Sequence, residues 1–103
     1  MTQQINLVQG FKGEITHQLN FNGVLIDVSD ATKITFNFSD RCGKTRYSIR
    51  CNKGESPYEV KIPISNEAAV YGEFYGEFVI KRGSKVDIYP LENKIPVSIR
   101  KCI

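Results

Sequence analysis

Apolar and polar residues alternate with period two along most of the chain, and turn signals recur about every 8 to 12 residues, which predicts short half-buried strands. From Gly13 to Phe21, Ile15, His17, Leu19 and Phe21 fall on one face and Glu14, Thr16, Gln18 and Asn20 on the other. That run stops at Asn22-Gly23, a hairpin turn pair, and Val24-Leu25-Ile26 follows as a short apolar strand. Asp27 to Thr32 is a polar corner before a strand over 33–39, in which Ile34, Phe36 and Phe38 alternate with Thr35, Asn37 and Ser39.

Asp40 to Lys44 predicts a turn into a partner strand over 45–51, with Tyr47 and Ile49 facing one way and Arg46, Ser48 and Arg50 the other. Beyond the turn at 52–57, Tyr58, Val60, Ile62 and Ile64 alternate with Glu59, Lys61 and Pro63. Pro63 has no N–H to give, which predicts a sheet edge at that strand end. Residues 65–70 allow at most one or two helical turns. Strands are predicted over 73–81 and 85–89, joined at Arg82-Gly83-Ser84, and a last one through Ile95, Val97 and Ile99. Residues 1–9 read either as an arm that adds to a neighbour's sheet or as the first strand of the chain's own sheet. The expected fold is all-β, an immunoglobulin-like antiparallel β-sandwich of about 7 to 8 short strands.

Composition narrows the function more than the fold. The chain has 103 residues, 41% hydrophobic and 24% charged, which is ordinary for one globular domain over 1–103. The N-terminus carries no basic head with an apolar run, and no apolar stretch reaches the length of a membrane span, so the expectation is cytoplasmic synthesis without a signal peptide. Cys42, Cys51 and Cys102 match no zinc or redox spacing and read as free thiols, and no metal or cofactor is expected. A net charge of +3 does not compel a nucleic-acid partner.

Three features carry candidate chemistry. Gly-Glu-Phe occurs twice, at Gly72 and Gly76, and puts Glu73, Tyr75 and Glu77 on one strand face and Phe74, Gly76, Phe78 and Ile80 on the other. Along a strand the two carboxylates stand about 13 Å apart, beyond the reach of a glycosidase pair. The glycines match no phosphate loop, and Gly76 reads as a place for close packing or a bulge. His17, in line with Ile15 and Leu19, reads as a half-buried side chain with one hydrogen-bond partner, and no nucleophile motif accompanies it. The chain is therefore expected not to be an enzyme. Arg41, Lys44, Arg46, Arg50 and Lys53 form a basic hairpin, but alternation sets Arg46 and Arg50 opposite Tyr47. Base-stacking sites need aromatics and cations on one face.

The order of these pieces resembles the N-terminal domain of phage baseplate upper proteins. In that family a corner of the form Asp-Leu-Thr-Gly-Ala-Thr-Val-x-Phe precedes a core strand. A Gly-x-Tyr-x-x-Glu-Phe strand is then followed by a glycine turn and a strand ending in aromatic-Pro. Asp27 to Phe36 and Gly72 to Pro90 stand in those places, with Asp30 where the family has Gly. The resemblance implies a non-enzymatic virion structural protein, present in many copies and docking on other tail, baseplate or capsid proteins. Because the chain stops after its last strand, attachment or bridging is expected rather than receptor binding. Arg46, Arg50, Tyr75 and Tyr89 are the expected interface residues, since arginine and tyrosine are favoured at interface centres. The alternative is a carbohydrate- or nucleic-acid-binding module using the basic hairpin 41–53.

Overall fold

In a computed structural model, residues 4–21, 23–44, 46–89 and 94–102 are described. Residues 1–3, Asn22, Thr45 and Pro90, which enter the expectations above, lie outside them. The alternation becomes strand nearly everywhere: β1 (Ile5–Val8), β2 (Gly13–Gln18), β3 (Asn20–Phe21), β4 (Val24–Leu25), β5 (Lys33–Asp40), β6 (Arg46–Lys53), β7 (Glu59–Ile64), β8 (Gly72–Arg82), β9 (Lys85–Tyr89) and β10 (Ile95–Arg100). The segment at 65–70 contributes one 3-10 turn, Glu67–Ala69. The chain is all-β.

Eight strands make one curled, mixed sheet in the order β1-β10-β8-β5-β6-β7-β2, with β9 on β8 beside β10, and the sheet bends into a half-barrel. β1 runs parallel to β10, so Ile5–Val8 is a strand of the chain's own sheet. The bend falls within β6, whose Arg46–Cys51 part pairs with β5 and whose Asn52 and Lys53 pair with β7. β8 is long enough to hold two neighbours on one flank, β10 along Gly72–Gly76 and β9 along Phe78–Arg82.

The core lies in the hollow of the bend. Phe36, Phe78, Leu19, Ile62, Ile80, Val28, Val60 and Val97 are its largest fully buried side chains, and they come from both limbs of the sheet and, at Leu19 and Val28, from the segments between strands. Phe78 packs on Phe36 with ring centroids 4.7 Å apart and on His17 of the opposite limb at 5.5 Å. Phe38 extends this cluster to Tyr47 and Phe74. Gly76 sits in the same layer: a Cβ there would lie 2.4 Å from Phe36 Cζ and 3.0 Å from Phe38 Cβ. It also pairs in register with Phe38 and Ile95, so the glycine serves close approach and makes no bulge.

Two expectations about strand limits change. The run over 13–21 breaks at Leu19, whose N–H donates to Tyr58 O (2.7 Å) and whose carbonyl accepts from Ile26 N (2.9 Å). Beyond it, Asn20–Phe21 and Val24–Leu25 form a separate small hairpin around Gly23, at φ +82°. Pro63 lies in an interior strand, opposite Glu14 of β2, but the ladder of β7 with β6 covers only Val60 and Lys61. The missing N–H therefore falls where β6 has already left β7.

The polar corner at 27–32 is pinned at both ends. Asp27 Oδ1 accepts from Ser29 N (2.8 Å), and hydrogen bonding from the Ser29 side chain first, then from this N–H, holds the Asp27 carboxyl below its ordinary pKa. Thr32 donates its N–H and its hydroxyl to Lys81 O. Arg82 closes the corner, donating to Asp30 (3.0 Å), to Asp87 and to the Asp27 carbonyl.

Candidate functional site: the outer face of the large sheet

Strand alternation sends every second residue of β5, β6, β8 and β9 away from the core, and register sorts those residues into rows. The first row runs Arg46, Ser39, Tyr75, Pro96. Ser48, Asn37 and Glu77 make the next, and Arg50, Thr35, Val79 and Ile88 the third. Lys33, Lys81 and Val86 close the face. Arg46, Arg50, Lys33 and Lys81 are exposed, while Tyr75, Asn37 and Val79 are half-buried in the surface. Val86 and Ile88 are 55% and 44% exposed and stand side by side on this face.

Local bonds hold parts of this face in place. Arg46 Nε donates to Gly43 O at 2.9 Å, where Gly43 has φ +73° in the β5–β6 turn, and Arg41 reaches the Tyr75 hydroxyl at 3.4 Å. Toward β10 the carboxylates are engaged: Ser98 Oγ donates to Glu73 (3.1 Å), and Lys94 pairs with Glu77 (3.6 Å). Asn37 Oδ1, in the middle of the face, has no hydrogen-bond partner, and nothing in the structure explains it.

The expected interface residues divide. Arg46, Arg50 and Tyr75 share the outer face, and register brings Arg46 and Tyr75 into one row although 29 positions separate them in sequence. The hairpin alone separates cations from aromatics, as Tyr47 packs inward on Phe38, but β8 supplies the aromatic that the hairpin lacks. Tyr89 does not belong to this face. It pairs with Phe78, shares its inward direction and packs half-buried against the core. The apolar pair Val86 and Ile88 and the lysine pair Lys33 and Lys81 also stand on this face, outside the expected interface residues. The alternation of Val86, Asp87 and Ile88 held the signal for the first, and only the β5/β8 register could have revealed the second.

Other candidate chemistry is less well supplied. His17 is half-buried and stacked on Phe78, and burial lowers its pKa below the ordinary value. Cys51 is buried and its thiol is pushed up to about 12, which keeps it protonated and inert, while Cys42 and Cys102 are exposed. Among the described residues no group of His, Cys, Asp or Glu could hold a metal ion, and no helix is long and apolar enough to cross a membrane. Lys53 donates to Ser29 O (2.7 Å) across a shallow recess lined by Val28, Ser29 and residues 53–57, with no aromatic side chain in that lining to stack on a sugar. Comparison with known protein families, curated proteins and solved structures finds no match to this chain.

Proposed function

We propose that this chain is a non-enzymatic structural module that docks on another protein through the outer face of its large sheet. The assembly it serves is a tailed-phage virion, where it is a multi-copy adaptor or decoration on a tail, baseplate or capsid protein. The observation that carries docking is the outer face itself, on which Arg46 and Tyr75 share one row and Arg50 shares another with the half-exposed apolar side chains Val79 and Ile88. Arginine and tyrosine beside apolar side chains is the composition of an interface centre. The virion assignment rests on the resemblance of Asp27 to Phe36 and Gly72 to Pro90 to the baseplate upper protein pattern.

The half-barrel is, in this reading, a form of the immunoglobulin-like sandwich. Its β10-β8-β5 order with β2 against β7 on the other limb follows the G-F-C and B-E adjacencies of that architecture. The test is mass spectrometry of purified virions from the phage that encodes the chain, with Tyr75→Ala and Arg50→Glu introduced in the phage. Many copies per particle are expected for the parent and loss of the chain from particles for the double variant. Absence of the parent from particles overturns the virion assignment.

A second reading, a nucleic-acid or carbohydrate module using 41–53, is favoured by the row that joins Arg46 to Tyr75. It predicts affinity for DNA that falls steeply between about 50 and 200 mM salt. Docking on a protein that survives that range, without DNA binding, excludes it.

A further inference from the structure

The charges on the outer face are arranged in a way that folding alone does not explain. Lys33 and Lys81 are direct partners in the β5/β8 ladder and both are exposed. Direct cross-strand partners have Cβ atoms about 4.5–5.5 Å apart, so two like charges there repel, at a distance well inside the screening length of physiological salt. Arg50 opposes Thr35 in the adjoining row and adds a third cation. Among the described residues the ion pairs involve Arg82 and Lys94, and no carboxylate pairs with Lys33, Arg50 or Lys81. Beside these cations Val79, Ile88 and Val86 form an apolar strip in the same two rows, with Ile88 and Val86 exposed. An apolar centre with a charged rim is the anatomy of a protein interface, and the rim charges left without an ion pair here are of one sign, Glu77 in the next row being held by Lys94.

We infer that the partner of this face is a protein surface that sets carboxylates around an apolar centre. Its acidic groups neutralise Lys33, Arg50 and Lys81, and its apolar side chains cover Val79, Val86 and Ile88. A nucleic-acid backbone satisfies the cations but leaves the valine and isoleucine side chains against phosphate and sugar, so the apolar strip favours protein. The inference rests on the docking reading above and names the chemistry of that same face.

Three probes decide it, each titrated into the labelled chain and followed by amide shifts: a soluble peptide alternating Glu with Leu, one alternating Glu with Gly, and a short DNA duplex. The Glu-Leu peptide is expected to bind about tenfold or more tightly than the other two, with shifts confined to residues 33–37, 49–51, 79–81 and 86–88. Ile88→Ser should erase its advantage over the Glu-Gly peptide. Lys33→Glu with Lys81→Glu should weaken it by about tenfold or more, and Lys81→Gln, a milder change, by less. Equal binding of the Glu-Gly peptide or of DNA overturns the inference, as does failure of the Glu-Leu peptide to bind or shifts mapping to another face. Such a failure, with the chain still found in virions, removes the acidic partner and leaves the docking reading intact. Absence from virions, with the Glu-Leu peptide still bound at this face, removes the virion assignment and leaves docking on an acidic-apolar protein surface intact.

Discussion

Phe36, Phe38, Phe78 and Ile80 leave the β5/β8 pair on one side, and Thr35, Asn37, Val79 and Lys81 leave it on the other. One backbone and one register serve both faces, yet the inner side is closed around a glycine that fits no Cβ and the outer side keeps like charges opposite one another. Packing dictates the inner face residue by residue, because each side chain has a fixed volume to fill. On the outer face the sequence was free to place charge and apolar surface where stability gains nothing from them. That freedom leaves the outer side open to be shaped by a partner.

The contrast breaks first at Phe78, which is fully buried between Phe36 and His17. Phe78→Ala should cost about 3–5 kcal/mol, read as a lower urea midpoint, whereas Tyr75→Ala on the other face of the same strand should cost far less. Similar losses for the two would show that the faces are energetically alike. Gly76→Ala comes next, since the added methyl meets Phe36 and Phe38. About 1–3 kcal/mol is expected, with part recovered in the double variant Gly76→Ala, Phe36→Leu, which makes room. Additive losses would place the strain elsewhere.

Arg82 tests the seam between the faces, where its guanidinium ties Asp27, Asp30 and Asp87 together at 19% side-chain exposure. Arg82→Met keeps the stem and removes the bonds, and should cost about 2 kcal/mol while speeding amide exchange over 27–32. Unchanged exchange would mean the corner is held by Thr32 on Lys81 O instead. His17 gives a pH arm. Burial lowers its folded pKa below the ordinary 6.5, so the unfolded chain takes up the proton first as pH falls. Its contribution to stability is full above pH 6.5 and is lost as pH falls from there toward the folded pKa. Denaturation midpoints at neutral and mildly acidic pH should differ for the parent and less for His17→Phe.

The inner face was legible in the sequence because burial and alternation are one signal: Ile34, Phe36, Phe38, Val60, Ile62 and Ile64 are all buried as their spacing predicts. Strand limits were less so. Leu19 continues the alternation of Ile15 and His17 without interruption, and what ends the strand is a change of partner, from Tyr58 beyond the β7 ladder to Ile26 at the foot of the small hairpin. The bend within β6 likewise has no punctuation at Cys51, because the change is of partner and not of conformation. Tyr89 was misplaced because its direction depends on pairing with Phe78. The outer patch was hidden for the same reason: Arg46 joins the row of Tyr75, and Lys33 meets Lys81, only through the register of β5, β6 and β8.

The smallest expected effect is the one that bears most directly on the outer face. Lys81→Glu replaces the Lys33 to Lys81 repulsion with an attraction at the same cross-strand position, and the glutamate needs no new space because the site is exposed. Cross-strand charge pairs are worth about 0.2–1 kcal/mol, so the isolated chain should gain a few tenths of a kcal/mol, with a larger gain at low salt than at high. The same variant should bind the acidic-apolar peptide less well. A gain in stability joined to a loss in binding is what separates a face kept for a partner from one shaped by folding, since a residue retained for the fold cannot be improved by reversing its charge. If Lys81→Glu destabilises the isolated chain, Lys81 belongs to the scaffold and the two faces differ less than their side chains suggest.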